Sequence, residues 1–219
     1  ALQGFKRDWL REYVGIPKSH SDKMTRYLLV DAASAKKKGS DYTAMMMVGL
    51  AADQNYYILD MVRDRLSLTE RAERVFTLHR RWRPKEVRYE KYGMMADIEH
   101  LRSRMETENY RFDVVEVAGQ TKKEDRIGRL IPLFEQGRVY LPRSLHITDF
   151  QKQAVDLVRS FVEEEILAFP VGIHDDMLDA LARIAEPDLK LVWPKEEKVR
   201  IGDAPQFYSN VPNHQAWMS

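Results

Sequence analysis

The chain predicts a mixed α/β sheet covered by helices, and three observations lead there. Two apolar, β-rich runs, Thr43 to Leu50 and Tyr56 to Val62, follow the strand-like Tyr27 to Asp31 at hairpin spacing, which makes a three-strand antiparallel meander. Beyond it, helical periodicities alternate with short strand-like runs. The first strand also carries one carboxylate, Asp31, at the end of Leu28-Leu29-Val30, where burial without a partner would cost several kcal/mol.

In order, Phe5, Trp9, Leu10 and Tyr13 recur at helical spacing, so residues 1–24 read as a short amphipathic helix and linker leading in from something upstream. After the meander, Ser67-Leu68-Thr69-Glu70 fits a capping box opening a helix to about Trp82, before Pro84. Glu86 to Glu90 is a short strand and Met94 to Glu106 a helix with Ile98, Leu101 and Met105 inward. Phe112 to Val117 is a strand, and Thr121-Lys122-Lys123-Glu124 fits a second capping box whose helix runs past Ile127, Leu130 and Phe134 to Gly137. Val139 to Leu141 reads as an edge strand, and a further helix is expected from Thr148 toward Glu165. The last helix starts near Gly172 and carries Leu178, Leu181, Ala182 and Ala185; residues 187–219 read as an extended tail.

The 219 residues carry a formal charge of +1, so overall charge does not mark a nucleic-acid binder, and any basic surface must come from local clustering. Cysteine is absent, which excludes a disulfide framework, a thiol nucleophile and Cys-ligated zinc. No apolar run approaches the roughly 18 residues of a membrane span. No phosphate-binding G-x-x-x-x-G-K-[ST] loop occurs, so ATP hydrolysis by this chain is not expected.

Acidic positions supply the candidate chemistry: Asp31, Glu90 at the end of the fourth strand, and Asp175, Asp176 and Asp179 around the start of the last helix. The spacing of Asp176 and Asp179, or of Asp175 and Asp179, puts either pair on one helix face. Like charges this close are relieved by protonation or by a divalent cation, and an all-oxygen donor set favours Mg²⁺ or Mn²⁺. Two such ions can serve in-line phosphoryl displacement. The plainer alternative is that a strand Asp is a satisfied structural group and an Asp pair caps its helix. His174 contacts the site or merely packs, and Asp41 is either an acid near the site or a turn residue.

Three motifs order themselves around these acids: Val30-Asp31-Ala32 with Lys38-Gly39-Ser40-Asp41-Tyr42-Thr43-Ala44, then Tyr89-Glu90-Lys91-Tyr92-Gly93 with Lys122-Lys123-Glu124-Asp125-Arg126-Ile127, then His174-Asp175-Asp176-Met177-Leu178-Asp179-Ala180-Leu181-Ala182. In order and spacing, residues 25–186 resemble the nuclease domain of tailed-phage terminase large subunits. The resemblance implies a ribonuclease-H-like fold. It also implies cutting of double-stranded concatemeric DNA during genome packaging, with two divalent ions, Mg²⁺ or Mn²⁺. It matches Asp31, Glu90 and Asp176 to the catalytic carboxylates, with Asp179 as a fourth acid where resolvases of the same fold place one, and Asp175 and Asp41 as further metal-side candidates.

Lys36, Lys37 and Lys38 in the first hairpin, Lys91 beside Glu90, and Lys122, Lys123, Arg126 and Arg129 are the candidate DNA contacts; Lys122, Arg126 and Arg129, at i, i+4 and i+7, would share one outward helix face, or be a plain solvated one. The resemblance further implies an ATPase motor upstream in the same polypeptide, a small subunit and a portal protein as partners, and action in the cytoplasm of an infected bacterium. The alternatives are a structure-selective, Holliday-junction-resolvase-like nuclease and a non-catalytic DNA- or capsid-binding module.

Overall fold

The computed structural model describes residues 3–32, 42–90, 95–117, 121–149 and 151–195. The chain enters through a 3₁₀ turn, Arg7–Trp9, then β1 (Arg11–Tyr13) and α1 (Lys18–Ser21). The meander is β2 (Thr25–Asp31), β3 (Thr43–Leu50) and β4 (Tyr56–Asp64). Then follow α2 (Leu68–Trp82), β5 (Glu86–Glu90), α3 (Met95–Thr107), β6 (Val114–Val117), α4 (Lys123–Gly128), α5 (Ile131–Glu135), β7 (Val139–Pro142), β8 (His146–Thr148) and β9 (Ala154–Asp156). The chain continues as α6 (Leu157–Ser160), a π-helical stretch (Phe161–Ile166), α7 (Asp176–Ala182) and a 3₁₀ turn (Arg183–Ala185).

Seven strands form one sheet in the order β1-β7-β4-β3-β2-β5-β6. The meander is antiparallel, and β5, β6, β7 and β1 are added parallel to their neighbours. Helices cover both faces, which explains why the central strands read as continuous apolar runs. Tyr27, Leu29, Met46 and Val48 face the layer of α4 to α7, whereas Leu28, Val30, Met45 and Met47 face α2 and α3. No helix among the described residues is long and apolar enough to cross a membrane.

The first capping box forms as expected: the Ser67 N–H donates to Glu70 Oε2 at 2.8 Å and the Glu70 N–H to Ser67 Oγ at 3.3 Å. The second does not. Lys122 is the N-cap of α4 and makes no side-chain cap, and α4 stops at Gly128, before α5 restarts with Pro132 in its first turn. Pro132 has no N–H to continue the α4 ladder, so the expected single helix is two short ones.

Three further expectations are corrected. The early apolar residues do not make an amphipathic helix: Phe5 is buried edge-on against Phe134 and Phe169, and β1 pairs with β7 as the outermost strand, with the Tyr13 hydroxyl donating to the Ile58 carbonyl at 2.7 Å. β7 is therefore an interior strand rather than an edge. The region after Thr148 is not the start of a long helix but the turn of the small β8–β9 hairpin, with Asp149 accepting the Gln151 and Gln153 N–H groups. The start of the extended tail packs on the body, in keeping with its reading from the sequence: Trp193 stands edge-on to Tyr56, and the Val192 N–H donates to the Tyr27 hydroxyl at 3.0 Å.

Candidate active site

The site grows from strand register. Val30 pairs with Tyr89 across parallel β2 and β5, so the next residues, Asp31 and Glu90, lie side by side where both strands end. Alternation puts Asp31 on the same side as Tyr27 and Leu29, and Glu90 opposite in phase to the inward Val87 and Tyr89. Both carboxyls thus emerge under α7, which packs across β2, β3 and β4. The two acids therefore press on each other. Burial, then the neighbouring Glu90 and the Asp179 charge, lift the Asp31 carboxyl well above its ordinary range, against a smaller opposing pull from Lys123.

The acids of α7 arrive above this pair, each turned to a basic side chain. Asp179 is buried and takes a fork from Arg126, Nε at 2.6 Å and Nη2 at 2.7 Å, with Lys123 Nζ at 3.7 Å. Asp175 receives Lys123 Nζ at 2.6 Å, and Asp176 faces Arg63 Nε at 3.7 Å. Glu90 faces Arg183 Nη2 at 2.8 Å, while Nη1 of the same guanidinium donates to Glu186. Burial raises the Asp176 and Asp179 carboxyls; Lys123 and Arg63 oppose it at Asp176, and Arg126 and Lys123 at Asp179. Lys123 is itself raised, because Asp175, Asp179 and Asp31 together outweigh its burial.

Arg63 reaches this side only through a β-bulge. Met47 pairs with Asp60 but Val48 with Ile58, so Leu59 is an extra residue in β4. Leu59 and Asp60 consequently both face the α2 side, where Asp60 accepts from Trp82 Nε1 at 2.9 Å, and Met61 and Arg63 turn to the α7 side. Gly49 makes room, since a Cβ there would stand 2.9 Å from Leu59 Cδ1.

Sequence reasoning missed three basic or acidic members of this site. Arg63 sits in an unremarkable strand end, and its phase depends on the bulge. Glu165 closes the run Glu163-Glu164-Glu165, which reads as a solvated helix end, yet it is 0% exposed. Arg183, 1% exposed, sits at i+4 from Asp179 and so reads as a local helix pair, but it turns to Glu90 instead.

The expected outward basic face of Lys122, Arg126 and Arg129 does not exist. Lys122 is exposed, but Arg126 is buried on Asp179, and Arg129 donates to Glu186 at 2.8 Å. The cause is that α4 is short and packed against α7. His174 lies edge-on to Tyr42, whose ring also carries the guanidiniums of Arg63 and Arg65 at 4.6 and 5.1 Å. Lys36, Lys37, Lys38, Asp41 and Lys91 lie outside the described residues. A cleft lined by His79, Lys85, Arg111 and Phe112 opens on the α2–α3 side and shares no residue with the carboxylates.

Among the described residues, no group of three or more Asp, Glu or His side chains stands in a metal-holding arrangement. The ion pairs above give the reason: Glu90, Asp175, Asp176 and Asp179 each face a cation of the chain itself. The Asp31–Glu90 pair nonetheless has the character such an ion requires, two hard oxygen donors pressed together with the Asp31 charge suppressed. The donor set fits a divalent cation at that pair, with Asp175 and Asp176 able to join if Lys123 and Arg63 exchange partners; Asp179, forked by Arg126, is held in reserve.

The profile described as the terminase RNaseH-like domain matches residues 28–185, well over half of the chain. Among solved structures the chain is similar to the large terminase nuclease of thermophilic phage G20c, at 17% identity and a TM-score of 0.51, over 80% of this chain and 92% of that one. It is also similar to the human cytomegalovirus terminase nuclease domain, at 14% identity and a TM-score of 0.57, covering 84% and 96%. A manganese-soaked form of the latter gives 13% identity and a TM-score of 0.58 with the same coverage. Curated proteins give no match. The structural likenesses share the fold, the matched span runs from β2 to the end of α7 and contains every acid of the cluster, and the chain belongs to the terminase RNaseH-like domain family.

Proposed function

We propose that the chain is a metal-dependent endonuclease that cuts double-stranded DNA during phage genome packaging. The observation that carries this is the Asp31–Glu90 carboxyl pair, set side by side at the ends of two parallel strands and roofed by the acids of α7. Asp31 and Glu90 would hold a first divalent cation, Mg²⁺ or Mn²⁺, and Asp176 with Asp175 would complete a second. Such ions, when bound, neutralise charge on the phosphate and acidify a water. A manganese-soaked neighbour of the same fold supports that choice of ion.

The chain's own residues do the rest. Arg126 pins Asp179 so that its carboxylate crowds the pair without swinging away. Arg183 fixes Glu90 from behind, tied in turn to Glu186. Lys123, lying among Asp175, Asp179 and Asp31, provides a cation that a DNA phosphate can recruit once the carboxylates take other partners. Lys122, exposed at the start of α4, would add a phosphate contact at the rim, and contacts of this kind position DNA without reading its bases. Lys36, Lys37, Lys38 and Lys91 extend this proposal, as do an upstream motor, a small subunit, a portal protein and action in the host cytoplasm.

The test is conversion of supercoiled plasmid to linear and smaller fragments with Mn²⁺, Mg²⁺ or EDTA, beside Asp31→Asn. Metal-dependent cutting lost in the variant is the expected result; a variant cutting at the parental rate removes Asp31 from the site. The internal pairing of the acids favours one other reading, a silent DNA-binding module. Calorimetry decides between them, because a module with structural acids would take up no Mn²⁺.

A further inference from the structure

Asp175 and Asp176 open α7, and an aspartate at a helix start ordinarily folds back to accept the first free N–H groups. Neither does so here. Asp175, the N-cap residue, makes no side-chain cap, and its carboxylate goes to Lys123 instead. The acceptor comes from elsewhere: Glu165 Oε2 takes the Leu178 N–H at 2.8 Å.

Glu165 is placed for this by the π-helical stretch Phe161–Ile166, in which the Leu167 N–H reaches back to the Val162 carbonyl. Such wider turns redirect a side chain that a regular helix would send elsewhere. Its other oxygen, Oε1, has no hydrogen-bond partner and stands 3.6 Å from Arg63 Nε, which also has none. Arg63 Nε in turn is 3.7 Å from Asp176. A buried acid is thus retained, incompletely paired, between the helix start and the guanidinium that faces Asp176.

From this we infer that Glu165 is a positioning residue: by taking the Leu178 N–H in the first turn of α7, the donor an N-terminal cap would use, it keeps Asp175 and Asp176 from capping their own helix and leaves both carboxylates turned to the site. The inference rests on the nuclease reading of the cluster. It also identifies what matters in Glu165, namely an acceptor oxygen at full side-chain reach, with the charge secondary.

Two conservative variants test it. Glu165→Gln keeps an acceptor at the same reach and loses the charge; Glu165→Asp keeps the charge and withdraws the acceptor by one carbon. Cleavage kinetics should show Glu165→Gln within about threefold of the parent, and Glu165→Asp lower by about 10- to 100-fold in kcat with KM for DNA nearly unchanged, the usual range for residues supporting a metal site. The affinity for Mn²⁺ measured by calorimetry without DNA should follow the same order. The opposite order makes the charge the working feature and overturns the inference; equal losses that track the melting temperature make Glu165 merely structural and overturn it too. Should the parent itself not cut, the nuclease reading falls, and the order of the two Mn²⁺ affinities still decides the positioning role.

Discussion

The two faces of the sheet both bury charge, but they do so differently. On the α2–α3 face, Arg71 forks onto Asp97 with Nε at 2.6 Å and Nη2 at 2.8 Å, the Tyr89 hydroxyl donates to the same carboxylate at 2.6 Å, and Arg71 Nη1 reaches the Leu66 carbonyl. One cation meets one anion and each is satisfied. On the α7 face, acids crowd one another, Asp31 is pushed toward its neutral form, Arg63 Nε and Glu165 Oε1 are left without hydrogen-bond partners, and Arg183 Nη2 meets Glu90 at 2.8 Å as an ion pair without hydrogen-bond alignment. A closed network of that first kind is scaffold; a buried surplus of acid that the chain only partly answers is what a site for added cations and phosphate looks like.

Substitutions should separate the two faces. The largest effect on function is expected from Asp31→Asn, which should lower cleavage by at least about a hundredfold while the melting temperature stays level or rises, because a buried acid whose ionisation burial and Glu90 both oppose gives way to a neutral amide of the same size. A fall in melting temperature as steep as the fall in cleavage would place Asp31 with the scaffold. The mirror case is Asp97→Ala, which strands Arg71 in the interior and should cost about 3–5 kcal/mol of stability. Denaturant unfolding reads that loss, and the cleavage rate per folded molecule should hold.

A smaller effect is expected at Lys123. Its ammonium competes with any added cation for Asp175 and Asp179, so Lys123→Gln should tighten Mn²⁺ binding several-fold, limited by solvent screening of a side chain that is 40% exposed. Calorimetry showing weaker Mn²⁺ binding would instead make Lys123 a support of the site.

The pH dependence follows from Glu165, which burial and the nearby Asp176 raise to about 7 from 4.5, against the Leu178 N–H and Arg63. The folded state then holds a proton that the unfolded state releases, so this group's contribution is full below about pH 4.5 and is lost as pH climbs to about 7. Glu165→Gln should flatten that part of the stability profile; an unchanged slope would assign it to other groups. The smallest effect is expected from Lys122→Glu, a rim contact whose change should weaken DNA binding uniformly and reduce the salt slope by about one. Sequence-dependent weakening would show that it reads bases.

Much of the scaffold was legible because it is local. Each strand of the meander, the Ser67–Glu70 box and α3 announce themselves from neighbouring residues, and Asp31 stood out as a charge in an apolar run. The acids of α7 were visible as a cluster, but the sequence could not show that Arg126 turns inward, since that depends on α4 being cut short and pressed against α7. Glu165 was hidden among three identical residues, whose difference is the winding of one helical turn. Phe5 and Tyr13 had the spacing of a helix and were instead claimed by distant partners, the Phe134–Phe169 corner and β7.

The extra residue in β4 has a consequence for comparing relatives. Up to Ile58 the even positions look toward α7, and from Met61 onward the odd ones do, so the strand changes phase in mid-course. Aligning another chain to this one by its in-and-out alternation alone would slip by one place after Leu59 and match Arg63 to a residue of the wrong side. Against a chain whose strand lacks the extra residue, a one-residue gap at Leu59 is the correct alignment, and deleting Leu59 from this chain would carry the guanidinium away from Asp176 without altering any residue of the site.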